Sequence, residues 1–132
     1  MKDRLDSVSP SLCLAKWTQV TLHLQNGHTQ SCHHPSTHKV PLEELKDNPS
    51  ALHNTKFKKE RRKEMLNGVR PKECDYCWRV EDAAPDMLSD RHYKSSFSWS
   101  EPHFNKIAAM GGDEDFDPTY VEVSFGNACN FK

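Results

Sequence analysis

The sequence is poor in apolar residues: hydrophobic side chains make up 35% of its 132 residues, and the mean hydropathy is -0.87. Such a chain can build only one small core, and small cores are usually reinforced by disulfides, a metal or a partner. The sequence also lacks an apolar run near the roughly 20 residues that span a membrane. Its charged first residues, 1–6, lack the apolar stretch of a secretory signal. We therefore expect a cytoplasmic protein.

The net charge and the number of cysteines exclude further classes of protein and of partner. The 18 basic and 19 acidic residues nearly cancel, for a formal net charge of -1. No whole-protein attraction to nucleic acid or anionic membrane follows, and neither is expected as a partner. The five cysteines are an odd number, which fits poorly with a closed disulfide framework. In a reducing compartment they are better explained as metal ligands or catalytic thiols.

The clearest secondary-structure signal is a hairpin near the N-terminus. Residues 17–25 alternate between apolar and polar side chains, as a half-buried strand does. The Asn26-Gly27 dipeptide suits a type I′ turn, because both residues tolerate positive φ. Residues 28–32 should then return as the second strand, which gives a hairpin over 17–32.

The rest of the chain predicts short helices joined by loops. A helix over 55–67 can be capped by Asn54 or Thr55 and stopped by Gly68, and its apolar stripe requires the Arg61 stem to lie along the core. The other expected elements are a disordered lead-in at 1–12, a helical turn at 41–45, a metal knuckle at 74–77, a helix at 91–99, a linker at 101–118 and a strand at 119–125. Together they predict a small α+β fold.

Four cysteines predict a metal site. Two residues between Cys74 and Cys77 let one tight turn present both sulfurs to a single centre. Cys13 precedes the first strand of the hairpin and Cys32 ends the second, so both lie at the same end. Spacing alone does not choose between iron–sulfur and zinc, since both use four thiolates. Binding would be coupled to folding in a chain with so small a core.

Aromatic and histidine side chains flank these cysteines. Trp17 and Trp78 are expected to shield the site from water. His33 and His34, directly after Cys32, could ligate zinc. With four cysteines already available, we favour solvated histidines.

The order of these features resembles the SPASM/twitch auxiliary-cluster domain of radical S-adenosylmethionine (SAM) enzymes over residues 13–78. In that family a cysteine precedes a hairpin, glycine lies in its turn, a cysteine closes its second strand, and a helix and Cys-x-x-Cys follow. The resemblance implies that Cys13, Cys32, Cys74 and Cys77 bind one auxiliary 4Fe–4S cluster. It favours the shortened twitch form, placed here at 13–100. Such a cluster would relay electrons, support structure or position substrate.

Residues 120–132, including Cys129, resemble the first barrel strand and the start of the radical SAM Cys-x-x-x-Cys-x-x-Cys loop. The resemblance implies that Cys129 is the first ligand of a second 4Fe–4S cluster, which binds SAM in a full-length parent. The domain at 119–132 would be truncated, so the chain is expected to be an N-terminal fragment that is not catalytic alone and has no catalytic residues of its own.

The same resemblance implies that the strand at 119–125 is the first strand of a radical SAM (β/α) barrel. It would be an orphan strand, that is, one without its neighbouring strands. We therefore expect residues 113–132 to be poorly ordered. The alternative is that this strand joins the hairpin as a third strand. The parent would act on a peptide or small molecule and take electrons from a reductant such as flavodoxin or ferredoxin.

Two other functions compete with this interpretation. The four cysteines could form a zinc-stabilised module that binds protein or nucleic acid. An HNH-like nuclease is suggested by Cys32-His33-His34 with Cys74-x-x-Cys77, but a convincing ββα-metal stretch is missing. The basic run at 56–63 is interleaved with glutamates, so a solvated helix face explains it better than phosphate contacts.

Overall fold

The computed structural model describes residues 1–126, which form a mixed α+β fold. Four strands build one sheet: β1 (Gln19–His23), β2 (His28–Gln30), β3 (His38–Lys39) and β4 (Tyr120–Ser124). The α-helices of this part are α1 (Lys2–Asp6), α2 (Ala15–Thr18), α3 (Leu42–Asp47), α4 (Lys56–Leu66), α5 (Asp75–Ala83), α6 (Asp90–Ser96) and α7 (Phe104–Ala108). Short 3-10 turns lie at Pro49–Leu52, Lys72–Cys74 and Glu101–His103. None of these helices is long and apolar enough to cross a membrane.

The predicted hairpin is confirmed, but its turn differs. β1 and β2 pair antiparallel, with Thr21 opposite Gln30. The connection spans the four residues 24–27 rather than a two-residue type I′ turn. Gly27 has φ 73°, whereas Asn26 keeps a negative φ. Only the glycine therefore takes the left-handed conformation, as in longer hairpin loops.

β4 is not an orphan strand. It pairs in parallel with β1, so that Val20 lies opposite Val121 and Leu22 opposite Val123, and the sheet order is β3-β2-β1-β4. The expectation of an unpaired strand is wrong, and the alternative, addition to the hairpin, is right. β4 is still an edge strand, and Val121 and Val123 remain 52% and 41% exposed.

The N-terminal residues are folded, so the disordered lead-in predicted at 1–12 is wrong. α1 buries Leu5 completely, and Leu12 is also fully buried. The hydroxyl of Ser11 donates to the Met65 carbonyl at 2.9 Å, and Ser9 donates to the same oxygen. Met1, Leu5, Val8 and Leu12 are spaced as on one face of a helix, a periodic signal that the prediction of a disordered lead-in overlooked.

Helix α4 is confirmed, but its buried face is not the predicted one. The Thr55 hydroxyl caps it by accepting from the Lys58 amide at 3.1 Å. The buried side chains are Lys58, Arg62 and Met65, whereas Phe57 is 39% exposed. The helix therefore presents a largely polar face to the interior, which hydrophobic patterning does not detect.

The predicted linker at 101–118 contains ordered structure, so that expectation is also wrong. α7 buries Phe104 and Ile107, and Phe116 is buried in the same core. The helix predicted at 91–99 corresponds to α6. The main core cluster consists of Leu5, Leu12, Cys13, Leu14, Ala15, Trp17, Met65, Cys74, Cys77, Trp78, Phe104, Ile107, Met110 and Phe116. Three of the candidate ligand cysteines are thus part of the core itself.

Two adjacent glycines in the former linker provide a matched test of this ordering. Gly112 has φ 88°, and a Cβ there would lie 2.9 Å from Lys63 Cγ and 3.2 Å from the Lys63 amide nitrogen. Gly111 has open space and no positive φ. We expect Gly112→Ala to lower the free energy of unfolding by about 1–3 kcal/mol. Gly111→Ala should change it by less than about 0.5 kcal/mol. Urea unfolding measures both, and equal effects would contradict an ordered segment at 111–112.

Candidate metal centre

Four cysteines from three segments of the chain line one cavity. Cys13 lies just before α2, and Cys32 lies just after β2. Cys74 ends the 3-10 turn Lys72–Cys74, and Cys77 is in the first turn of α5. Cys13, Cys74 and Cys77 are buried, while Cys32 is partly exposed. The structure therefore brings together the four cysteines that the sequence singled out.

The cavity is lined by free thiols, and none of the four cysteines forms a disulfide. Among residues 1–126, no group of three or more histidine, cysteine, aspartate or glutamate side chains is spaced to hold a metal ion. The structure thus shows thiols around a shared cavity and does not show a formed ligand cage.

Burial keeps these thiols protonated. Burial, with a smaller contribution from the other thiols, raises the pKa of Cys13 to about 12. Burial also raises the pKa of Cys74 to about 11, although the Lys16 ammonium acts in the opposite direction. A metal binds the thiolate, so loading this site must release protons and must be favoured by higher pH.

Hydrogen-bond donors point at the sulfurs and stabilise the thiolate form. The His34 amide donates to Cys32 Sγ at 3.4 Å. Burial raises the pKa of Cys77, but the Ser89 side chain and the Arg91 amide, both hydrogen-bonded to its sulfur, oppose that rise. Such donors are the usual means by which a protein tunes metal–thiolate groups.

Two buried cations border the cavity, each held by carboxylates. Lys16 is 3% exposed, and its Nζ lies 2.6 Å from Glu73 Oε1. Arg91 is equally buried and donates to both oxygens of Glu81, at 2.8 and 2.9 Å. Arg91 also donates to the Leu12 carbonyl at 2.9 Å, next to Cys13. These fixed cations lie where thiolate charge would develop.

The two tryptophans differ in their relation to the site. Trp78 lines the cavity, and its Nε1 donates to the Pro71 carbonyl at 2.8 Å. Trp17 is fully buried but does not line the cavity; the Arg62 guanidinium lies 5.9 Å from its ring centroid. Only Trp78 is therefore placed to shield the thiols.

The two histidines after Cys32 also differ. His34 lines the cavity and donates from Nε2 to Asp90 Oδ2 at 2.5 Å. His33 does not line it, and pairs instead with Glu122 at 3.0 Å on the surface. Cys129, the expected first ligand of a second cluster, lies outside the described residues.

Sequence reasoning missed Lys16, Ser89 and Arg91 as neighbours of the thiols. They are polar residues in unremarkable settings, and nothing in hydrophobic patterning marks a charged side chain as buried. The only local signal concerns Lys16, which follows Cys13 by three residues and lies in the helix that begins just after it.

Comparisons with protein-family models, with curated proteins and with solved structures give no match to this chain. The resemblance to the SPASM/twitch domain therefore stays a hypothesis. The chemistry of the cavity depends on the residues that line it.

The raised thiol pKa values predict how pH affects the metal-free protein. A thiol whose pKa is raised by folding stabilises the fold fully below its ordinary pKa of 9.0. That contribution is lost as pH rises towards about 12, because the unfolded chain releases its proton first. We expect the free energy of unfolding, measured with urea, to fall more steeply across this range for the wild type than for Cys13→Ser. Parallel curves for the two proteins would show that the Cys13 thiol is not buried.

Proposed function

We propose that Cys13, Cys32, Cys74 and Cys77 bind one auxiliary 4Fe–4S cluster. The observation that carries the proposal is that all four cysteines, from three segments of the chain, line the same cavity. Thiolate sulfur is the ligand type that iron–sulfur clusters use, and four cysteines complete a cluster's ligand set. A cluster with all its irons held by cysteine supplies one-electron transfer, or it serves to support structure or position substrate.

The surroundings of the cavity suit a negatively charged metal–thiolate group. Lys16 and Arg91 provide fixed positive charge, and the amides of His34 and Arg91 donate towards sulfur. Trp78 and Met65 supply an apolar wall that limits access of water. These residues would stabilise deprotonated cysteines that burial alone disfavours.

We further propose that the chain is the N-terminal part of a radical SAM enzyme. β4 would be the first strand of its (β/α) barrel, and Cys129 would begin the ligand set of the SAM-binding 4Fe–4S cluster. The pairing of β4 with β1 removes the unpaired strand as a reason for this proposal. What supports it is the exposure of Val121 and Val123 on β4, because parallel strands are normally covered on both faces and these side chains suit a further layer packed on them.

The parent enzyme would work in a reducing compartment such as the cytoplasm, on a peptide or small molecule. Its reductant would be a carrier such as flavodoxin or ferredoxin. Residues 1–126 supply no catalytic group in this proposal, so the chain alone is not expected to turn over substrate.

Nucleic-acid binding receives no support from helix α4, because three of its basic residues are engaged by acids. Lys59 contacts Asp115 at 2.6 Å, and Lys63 contacts Asp113 at 2.6 Å. Arg61 pairs with Glu64 within the same helix. Phosphate binding would have to displace these carboxylates, which argues against a nucleic-acid module on this face.

Metal analysis after anaerobic purification tests the identity of the bound group. We expect iron and acid-labile sulfide in near-equal amounts, together with the broad visible absorption of an iron–sulfur cluster. A colourless protein with one zinc per chain would replace this proposal by the zinc-stabilised module.

Ligand replacement tests which thiols are used. Cys77→Ser should lose most of the iron and sulfide and much of the fold, because ligand loss and unfolding are coupled. Cys129→Ser is the matched control, and it should keep the auxiliary cluster. Iron and sulfide per chain, measured together with far-UV circular dichroism, report both effects. Equal losses in the two variants would contradict the assigned ligand set.

A further inference from the structure

One end of the thiol cavity is less enclosed than the rest. Cys32 is the only partly exposed member of the four, while Cys13, Cys74 and Cys77 are each at most 9% exposed. The residues beside Cys32 at this end include His34 and Asp90, which both line the cavity. Access from solvent to the thiols is therefore expected on the Cys32 side.

Three side chains meet at this end. The rings of His34 and Tyr76 are stacked, with centroids 3.9 Å apart and planes 9° from parallel. His34 Nε2 also donates to Asp90 Oδ2 at 2.5 Å. We call these three residues the rim contact. His34 thus touches a residue of α5 on one side and a residue of α6 on the other.

The rim contact joins segments that carry different thiols. His34 lies two residues after Cys32, and its amide donates to that sulfur. Tyr76 lies between Cys74 and Cys77 in the Cys-x-x-Cys segment. The stacked pair therefore fixes the Cys32 loop against the segment that carries two of the other thiols, across the open end of the cavity.

We propose that the rim contact is a latch over the thiol site: His34, Tyr76 and Asp90 hold Cys32 in place and must separate before a metal centre or a reagent passes. Its parts suit this role, because His34, Asp90 and Tyr76 are partly exposed, with 24%, 39% and 45% of the surface accessible. A small contact between loop and helix can open without unfolding the core. The latch rests on the proposed function in one respect only, the identity of the bound metal.

Metal loss from the protein as purified measures the opening directly. With excess EDTA as the probe, His34→Ala and Tyr76→Leu should release metal about threefold to tenfold faster than the wild type, the factor expected for one lost aromatic stack. Tyr76→Phe keeps a ring for stacking and should restore the wild-type rate. His33→Ala is the matched control, because His33 is adjacent in sequence but pairs with Glu122 outside the cavity.

A second measurement needs no metal. After chelation, iodoacetamide labelling of Cys32, followed by peptide mass spectrometry, reports the population of the open form. The labelling rate of each folded variant is divided by its labelling rate in urea, which removes differences in the intrinsic reactivity of the thiol. We expect the same order of variants, with His34→Ala and Tyr76→Leu fastest.

The outcomes separate this inference from the proposed function. Unchanged rates in both His34→Ala and Tyr76→Leu, or an equal increase in His33→Ala, would overturn the latch. If the purified protein contains no metal and only the rim variants label faster, the latch would be supported and the proposed cluster would be rejected. If Tyr76→Phe matched Tyr76→Leu, stacking would not be the closing contact and the latch would be overturned as stated.

Discussion

The buried guanidinium of Arg62 is the contact on which the arrangement of the other segments depends. Its Nε donates to the Lys16 carbonyl at 3.1 Å in α2, next to the thiol cavity. Its Nη1 donates to Asn54 Oδ1 at 2.7 Å, and Asn54 exchanges hydrogen bonds with the backbone of Phe116 shortly before β4. One side chain thus ties α2, the start of α4 and the approach to β4 together. Removing it would leave several buried polar groups unpaired, which costs more than the lost bonds themselves.

Two buried basic residues of α4 lie in this region, and burial disfavours their charged forms. Neither Lys58 nor Arg62 forms an ion pair with an acid in the part of the chain that the structure describes, and both are at most 1% exposed. Burial lowers the pKa of Lys58 well below its usual value and that of Arg62 to about 10. Lys16, whose backbone carbonyl accepts from Arg62 Nε, places its ammonium beside the thiols. A negatively charged metal–thiolate group would therefore be stabilised by residues that are otherwise costly to bury.

Local signals predicted some of this fold correctly, and long-range contacts account for the misses. The hairpin and α4 were predictable because alternation, Gly27 and the Thr55 cap act within a few residues. The four cysteines were identified by type and spacing. The burial of Arg62 and Phe116 was not predictable, because each depends on partners far away in the sequence. Addition of the strand at 119–125 to the hairpin is one of two alternatives that the sequence leaves open, and neither its neighbour nor its direction is predicted, since nothing local records which strand lies beside which.

The pairing of β1 with β4 has a consequence for the order of events during synthesis. β1 ends at His23 and its parallel neighbour begins at Tyr120, so the sheet cannot be completed until almost all of the described chain has been made. The four cavity cysteines all precede residue 78 and leave the ribosome earlier, since a chain emerges from its N-terminus. Contacts so distant in sequence also form slowly. The thiols are thus exposed to the cell's metal supply while one edge of β1 is still open, and metal delivery and sheet closure become separate steps in the maturation of the protein.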